Sequence, residues 1–142
     1  LPPFVRDEDG DYGPDFAIRE ARDGWFRIAE ISDSHRPRHL RARSIPVETG
    51  WIRGDTVRFG VQWSTGRAAP DPAAPATLTL KDDTWLTEAG DVDGLSDCHG
   101  GWAKVRYRLH AAASADGARA GEAWFSGICV SQRTTCENAS RP

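Results

Sequence analysis

Residues 34–43 concentrate the side chains that most readily bind ions, because this short segment holds two histidines and four arginines. His35 and His39 have the four-residue spacing that suits metal ligation on a helix. Pro37 disfavours a helix through that point, and no carboxylate accompanies the histidines, so we expect no metal site. The guanidinium groups match phosphate geometry and could bind an anionic ligand; a solvated loop is the other interpretation. These candidate residues are Arg36, Arg38, Arg41 and Arg43.

The three cysteines, Cys98, Cys129 and Cys136, lack the paired short spacing of a zinc site. We therefore predict a disulfide near the C-terminus and leave open which two cysteines form it. Cys98 precedes His99, but neighbours in a strand point to opposite faces, which disfavours a nucleophile–base pair. No other nucleophile, phosphate or dinucleotide motif is present, so we predict no catalytic residues and no cofactor. The alternative is a small metal-dependent enzyme that uses His35, His39, His99 or His110.

Tryptophan is frequent, with six residues in 142, and four of them recur in two similar blocks. The first block reads Gly24-Trp25-Phe26-Arg27-Ile28 and is followed by Gly50-Trp51-Ile52. The second reads Gly101-Trp102-Ala103-Lys104-Val105 and is followed by Ala123-Trp124-Phe125. Each half thus repeats Gly-Trp-x-basic-aliphatic and then a second tryptophan, which suggests an internal duplication.

Strict alternation of apolar and polar residues predicts strands in three segments, residues 57–63, 77–81 and 103–109. No segment has a comparable helical period, and 14 glycines with 9 prolines interrupt the chain too often for long helices. Residues 68–75 carry three prolines and are predicted to form a linker or an edge segment. We expect loops at residues 32–46 and 111–121. The predicted fold class is all-β.

The net charge of −3 disfavours a general nucleic-acid binder. No apolar run is long enough to cross a bilayer as a helix. The sequence contains no methionine and begins Leu1-Pro2-Pro3. Together with the cysteines, this leads us to expect an exported protein, periplasmic or secreted.

The Trp blocks resemble the bacterial SH3-like (SH3b-type) domain family, whose members show Gly-x-Trp-x-basic-Val, a variable hairpin and then Gly-Trp-Val. Residues 90–98 also fit the strand that leads into this motif in the family. The resemblance covers residues 14–65 and 69–136. It implies two tandem SH3-like β-barrels. The first, at residues 1–66, is degenerate and contains the Arg-rich segment as an insertion. The second, at residues 67–142, ends in a tail held by the predicted disulfide. A single merged barrel remains an alternative.

In such small barrels we expect the four repeated tryptophans to fill the cores. An exposed groove that captures extended peptides is the alternative role for Trp25, Trp51, Trp102 and Trp124. The resemblance implies a non-catalytic binding or targeting module that recognises a peptide, a protein or peptidoglycan. Binding of phosphate or an anionic polymer by residues 35–43 is the competing hypothesis.

Overall fold

The computed structural model describes residues 5–7, 10–34, 36–41, 45, 48–57, 59–110, 113–115 and 119–126, and of residues 5–7 and 10–12 only the backbone. The strands in this part of the chain are β1 Val5–Asp7, β2 Gly10–Tyr12, β3 Asp15–Arg22, β4 Trp25–Ser32, β5 Thr49–Arg53, β6 Thr65–Arg67, β7 Ala76–Thr79, β8 Gly90–His99, β9 Trp102–Leu109 and β10 Ala120–Ser126. One short helix, α1, spans Leu86–Ala89, and 3-10 turns lie at Arg38–Leu40, Gly54–Thr56 and Lys81–Asp83. Helices in this part of the chain are all too short and too polar to span a membrane.

The strands form three antiparallel sheets, with the orders β1-β2, β3-β4-β5 and β7-β6-β10-β9-β8. The prediction of an all-β protein is therefore confirmed. Each sheet formed by the described residues is open, and none closes into a barrel.

Two tight turns set the register of the larger sheets. Asp23 and Gly24 join β3 to β4 with φ values of 51° and 77°, and Gly100 and Gly101 join β8 to β9 with φ values of 50° and 80°. Two consecutive positive φ values characterise the type I′ turn, whose twist matches that of the flanking strands. The Gly-Trp of each sequence block is therefore the end of a hairpin turn followed by the first residue of the next strand.

One hydrophobic cluster packs between the two larger sheets. The three-stranded sheet contributes Phe16, Ile18, Phe26 and Ile28, and the five-stranded sheet contributes Leu78, Leu95, Cys98, Ala103, Val105, Tyr107, Leu109, Ala123 and Phe125. Connecting segments complete the cluster with Val57, Phe59, Val61, Leu80, Leu86 and Ala89. Burial of this apolar surface, at about 25 cal/mol per Å², is the main favourable term holding the sheets together.

The prediction of a strand at residues 57–63 is wrong in its hydrogen bonding and only partly correct in its pattern of burial, because Trp63, the last apolar residue of the alternation, is 50% exposed. Val57, Phe59 and Val61 are buried, as the alternation predicts. The segment pairs with no strand in the described structure. It is bonded to α1 instead: the Val61 N–H donates to Thr87 Oγ1 at 2.6 Å, and the Thr87 N–H donates to the Val61 carbonyl at 3.2 Å.

The proline-rich segment 68–75, predicted to be a linker or an edge segment, is a loop that connects neighbouring strands of one sheet. It joins β6 to β7, which pair directly, and the Ala68 N–H donates to the Pro75 carbonyl at 2.9 Å. A boundary between residues 66 and 67 would pass through β6, and the hydrophobic cluster has members on both sides of it. The division into two domains stays a prediction.

The two strands predicted elsewhere are confirmed by their pairing. Residues 103–109 lie in β9, where Ala103, Val105, Tyr107 and Leu109 are buried in alternation. Leu78 lies in β7, and Leu80 follows it with a bridge to Ser114. The approach segment 90–98 forms most of β8.

Candidate functional site

The Trp blocks correspond to two three-stranded units with the same pairing, β3-β4-β5 (the first unit) and β8-β9-β10 (the second unit). In the first unit, Glu20, Arg27 and Trp51 lie side by side in one row across the strands. The matching row of the second unit is Asp97, Lys104 and Trp124. Each row therefore reads acid, base, tryptophan.

The correspondence extends to the neighbouring rows. The row that faces the hydrophobic cluster is Ala21, Phe26 and Ile52 in the first unit, and it is Cys98, Ala103 and Phe125 in the second. A register shift also occurs at the same place in both, between Ile18 and Glu20 in β3 and between Leu95 and Asp97 in β8. The two units thus share the same strand pairing, and the internal duplication stays a prediction.

The two units differ in how much of their tryptophan surface is covered. Trp25 and Trp51 are 47% and 44% exposed, so the expectation that they fill a core is wrong. Trp102 is partly buried, whereas Trp124 is only 9% exposed and is not a member of the hydrophobic cluster. The side chains of Trp124 and the cluster members next to it point to opposite faces of β10, because residues alternate along a strand.

The exposure of the two tryptophans differs because a further strand adjoins the second unit but not the described part of the first. In the second unit, β10 pairs with β6 on its far edge, with Arg67 opposite Trp124. The corresponding strand of the first unit, β5, is the edge of its sheet among the described residues. Trp51 is therefore uncovered at the position where Trp124 has a neighbouring strand.

The exposed face of the first unit alternates aromatic and cationic side chains. Trp25 lies opposite Arg53, and Trp51 lies opposite Arg27. Both cations have acidic partners: Arg27 Nε lies 3.1 Å from a carboxylate oxygen of Glu20, and Arg53 is paired with Asp55. The face thus combines two indole rings with guanidinium groups that are already oriented.

A cleft of about 480 Å³ begins at Trp25. One wall comes from the first unit and the 3-10 turn after it, and the other from β8, β9 and β10. Its lining residues are Asp23, Gly24, Trp25, Arg53, Asp55, Leu95, Ser96, Arg106 and Glu122. Such a mixture of carboxylates, guanidinium groups and one aromatic ring can both donate hydrogen bonds to a ligand and accept them from it.

Glu122 links the three strands of the second unit at the cleft wall through its contacts with Ser96 and Lys104. Its carboxylate accepts a hydrogen bond from Ser96 Oγ at 2.7 Å and lies 3.2 Å from Lys104 Nζ. The hydrogen bond from Ser96 is the largest cause that lowers the pKa of Glu122; contacts with Lys104 and the charge of Arg106 add to it, and burial opposes them. Arg106, opposite Glu122 in the sheet, makes no ion pair with another residue of the described part of the chain.

Gly54, which lies between the lining residues Arg53 and Asp55, brings the two walls of the cleft into contact. A Cβ atom at this residue would overlap the carbonyl oxygen of Leu95 and would lie 2.6 Å from Cε2 of Phe26. The backbone of the first 3-10 turn after β5 therefore touches the backbone of β8 directly, which only glycine permits.

The three described arginines of residues 34–43 have different environments. Arg36 is only 2% exposed. Arg41 donates from Nε to the Arg36 carbonyl at 2.9 Å and from a terminal nitrogen to the Ser34 carbonyl at 2.5 Å, so it holds the loop together. Arg38 is exposed at the start of a 3-10 turn. Arg43 lies outside the described residues, as does His35, and an anion-binding role for the loop stays a prediction.

Two of the three cysteines and one of the four histidines lie outside the described residues. Cys98 is buried in β8, while Cys129 and Cys136 lie outside the described residues, so the pairing of the cysteines stays a prediction. His39, His99 and His110 are exposed and lie in separate segments: a 3-10 turn, the end of β8 and the residue after β9. Within the described residues no group of three or more potential ligands could hold a metal ion.

Sequence reasoning missed the cleft and a second pair of exposed tryptophans. Trp63 and Trp85 are 50% and 44% exposed, and they lie on adjacent segments because the Leu86 N–H donates to the Trp63 carbonyl at 3.1 Å. Neither belongs to the repeated block. The cleft residues Arg106 and Glu122 stand on the outward face of their strands, but their proximity to Trp25 depends on the packing of the two sheets, which no local pattern reveals.

Comparison of the chain with protein-family models, with curated proteins and with solved structures found no match. The function is therefore inferred from the geometry of the site.

Proposed function

We propose that the protein is a non-catalytic binding module that recognises an extended peptide on the exposed face of its first unit. The observation that carries the proposal is the asymmetry of the duplicated unit. Trp51 is 44% exposed where its counterpart Trp124 is 9% exposed. Exposed aromatic residues on a rigid sheet supply large contact areas with little loss of side-chain entropy, and tryptophan is enriched where interfaces bind most strongly.

The cleft beside Trp25 favours a peptide over a purely apolar ligand. A peptide carries a backbone N–H and a carbonyl at each residue, and the cleft offers carboxylates for the first and guanidinium groups for the second. Trp25 belongs both to the exposed face and to the cleft wall. One ligand can therefore contact Trp51, Trp25 and the cleft in sequence.

We further propose that the two units correspond to two SH3-like copies and that the protein works outside the cytoplasm. The common pairing of the units supports the first proposal, and the Cys98, Cys129 and Cys136 set supports the second. The competing hypothesis of an anionic-ligand loop is weakened, because Arg36 is buried and Arg41 is bonded to the loop's own carbonyls.

The test measures binding of wild type, Trp25→Ala and Trp51→Ala to two probes in parallel. One probe is a phage-displayed library of linear L-peptides, from which bound sequences are resynthesised, and the other is purified peptidoglycan in a co-sedimentation assay. Loss of a central interface tryptophan costs about 2 kcal/mol, so we expect roughly 30-fold weaker binding for each variant. The probe that binds wild type identifies the source of the ligand: a linear protein segment for the peptide library, or the cell wall for peptidoglycan.

The matched control is Trp63→Ala, which removes an indole that is equally exposed but lies elsewhere. We expect it to bind like wild type. The proposal is overturned if wild type binds neither probe, or if Trp63→Ala weakens binding as much as the two face variants.

A further inference from the structure

Among the described residues, no strand pairs with the outer edge of β5 beside Trp51. The two-residue turn at Asp23 and Gly24 makes the residues on either side of it, Arg22 and Trp25, a hydrogen-bonded pair between β3 and β4. On the other side of β4, the Gly54 N–H donates to the Gly24 carbonyl at 2.9 Å. Hydrogen-bonded and non-bonded pairs alternate along an antiparallel ladder. The N–H and carbonyl groups of Thr49, Trp51 and Arg53 therefore point away from β4. The Arg53 carbonyl accepts a hydrogen bond from Thr56 Oγ1 at 2.6 Å, so the open part of the edge is centred on Trp51.

The second unit shows what such an edge accepts. There, β6 lies against β10 in antiparallel orientation, with Arg67 opposite Trp124. The row then reads Asp97, Lys104, Trp124, Arg67, whereas the row of the first unit stops after Glu20, Arg27 and Trp51. The Arg67 guanidinium itself donates to the Ala74 carbonyl at 2.8 Å. A basic side chain at the matching position of a strand docked on β5 would gain from interaction with the face of the indole ring.

The inner side of the docked strand also follows from this comparison. A Cβ atom on Gly66 of β6 would lie 2.5 Å from the Ala123 Cβ and 2.8 Å from Cζ of Phe125, so only glycine fits there. The first unit has Gly50 in place of Ala123 and Ile52 in place of Phe125. Since both replacements are smaller, the corresponding position of a strand docked on β5 has room for an apolar side chain.

We propose that an extended segment of another protein adds to the outer edge of β5 as a fourth, antiparallel strand. The segment carries an apolar residue directed toward the hydrophobic cluster, and the next residue is basic and lies over Trp51. Strand addition of this kind obtains affinity from backbone hydrogen bonds and specificity from alternate side chains. The inference rests on the proposed function and names its ligand and its mode of binding.

The experiment titrates the full ¹⁵N-labelled chain with a capped synthetic peptide that copies residues 64–69 with the change Gly66→Val. We expect saturable shifts at the amides of Thr49, Trp51 and Arg53, together with slower hydrogen exchange at the same amides. The peptide that keeps glycine should bind about tenfold more weakly, because it buries less apolar surface. A peptide with Gly66→Val and Arg67→Glu should also bind about tenfold more weakly than the first.

Two protein variants separate strand pairing from contact with the indole ring. Thr49→Pro removes an outward N–H at the first residue of an edge strand, where proline is tolerated, and leaves the bonds to β4 in place. Trp51→Ala removes the ring and retains the backbone edge. We expect both to weaken binding of the peptide. Should Thr49→Pro fail to fold in a thermal melt, the exchange rates of wild type with and without peptide decide the question.

The proposal is overturned by the absence of saturable shifts in β5, by shifts confined to β6 and β10, or by a concentration-dependent dimer that protects the β5 amides without peptide. Displacement of the peptide by soluble peptidoglycan fragments would assign the edge to a cell-wall peptide and overturn the protein source. The proposed function and strand addition can fail separately. If the β5 amides show no shifts but Trp25→Ala and Trp51→Ala abolish binding of a ligand to the protein, only strand addition is overturned and the binding function stands.

Discussion

Gly54 is the residue at which a single added methyl group most directly tests the packing of the first unit on β8. The Cβ of Gly54→Ala would overlap the Leu95 carbonyl oxygen and would lie 2.9 Å from the Leu95 carbonyl carbon and 2.6 Å from Cε2 of Phe26. Both neighbours are buried in the hydrophobic cluster, so neither can move aside without disturbing the core. Overpacking of this kind costs 1–3 kcal/mol, and contact with backbone atoms favours the upper end, about 3 kcal/mol.

The cost is measured by urea unfolding followed by circular dichroism, with the slope m compared between variants. For a chain of this size about 3 kcal/mol also lowers Tm by roughly 10 °C. The control is Gly100→Asn, since a Cβ there meets no atom within 4 Å and asparagine tolerates a positive φ. We expect it to change stability by less than ~0.5 kcal/mol. If Gly54→Ala is as stable as the control, the direct contact between the 3-10 turn and β8 is refuted.

Three further predictions concern the cleft, the cysteines and the tryptophans. Because its folded pKa is lowered, Glu122 stabilises the protein above its unfolded pKa, and this contribution is lost as the pH falls through the folded pKa. Ser96→Ala should raise the pKa of Glu122 in a carboxyl NMR titration, and an unchanged pKa would contradict the assigned cause. Thiol titration of the denatured chain should find one free thiol before reduction and three after it, as one disulfide among three cysteines requires; three before reduction would exclude the disulfide. The fraction of tryptophan fluorescence that acrylamide quenches should fall in Trp51→Ala, because this variant loses an exposed ring. In Trp124→Phe, which loses a buried ring, the quenchable fraction should stay the same or rise. An equal fall in both variants would contradict the difference in exposure.

Period-two alternation predicted burial better than it predicted hydrogen bonding. It identified β9 correctly, because the burial of that strand alternates along its length and both of its edges pair with a neighbouring strand. Residues 57–63 alternate as well, but their backbone partner is Thr87 in α1, which lies far along the chain. The burial of one face is local information, whereas the identity of the pairing partner depends on the tertiary structure.

The repeat of tryptophans in the sequence identified two strand units with the same pairing but not which indole rings are exposed. Trp51 and Trp124 occupy matching positions in matching rows. Their exposure differs because β6 adjoins β10 and no described strand adjoins β5. A similar nonlocal effect buries Arg36 within a segment whose composition predicts a solvated loop.

The central claim is that β5 is the open counterpart of β10, and the most direct test is hydrogen–deuterium exchange of single amides in the free, full chain. The Trp51 amide points to the open edge and should exchange at nearly the unprotected rate, while the Ile52 amide is bonded to β4 and should be protected. The Trp124 amide, which faces β6, should be protected as well. Slow exchange of Trp51 equal to that of Trp124 in the free protein would contradict the account, because the edge would already be occupied.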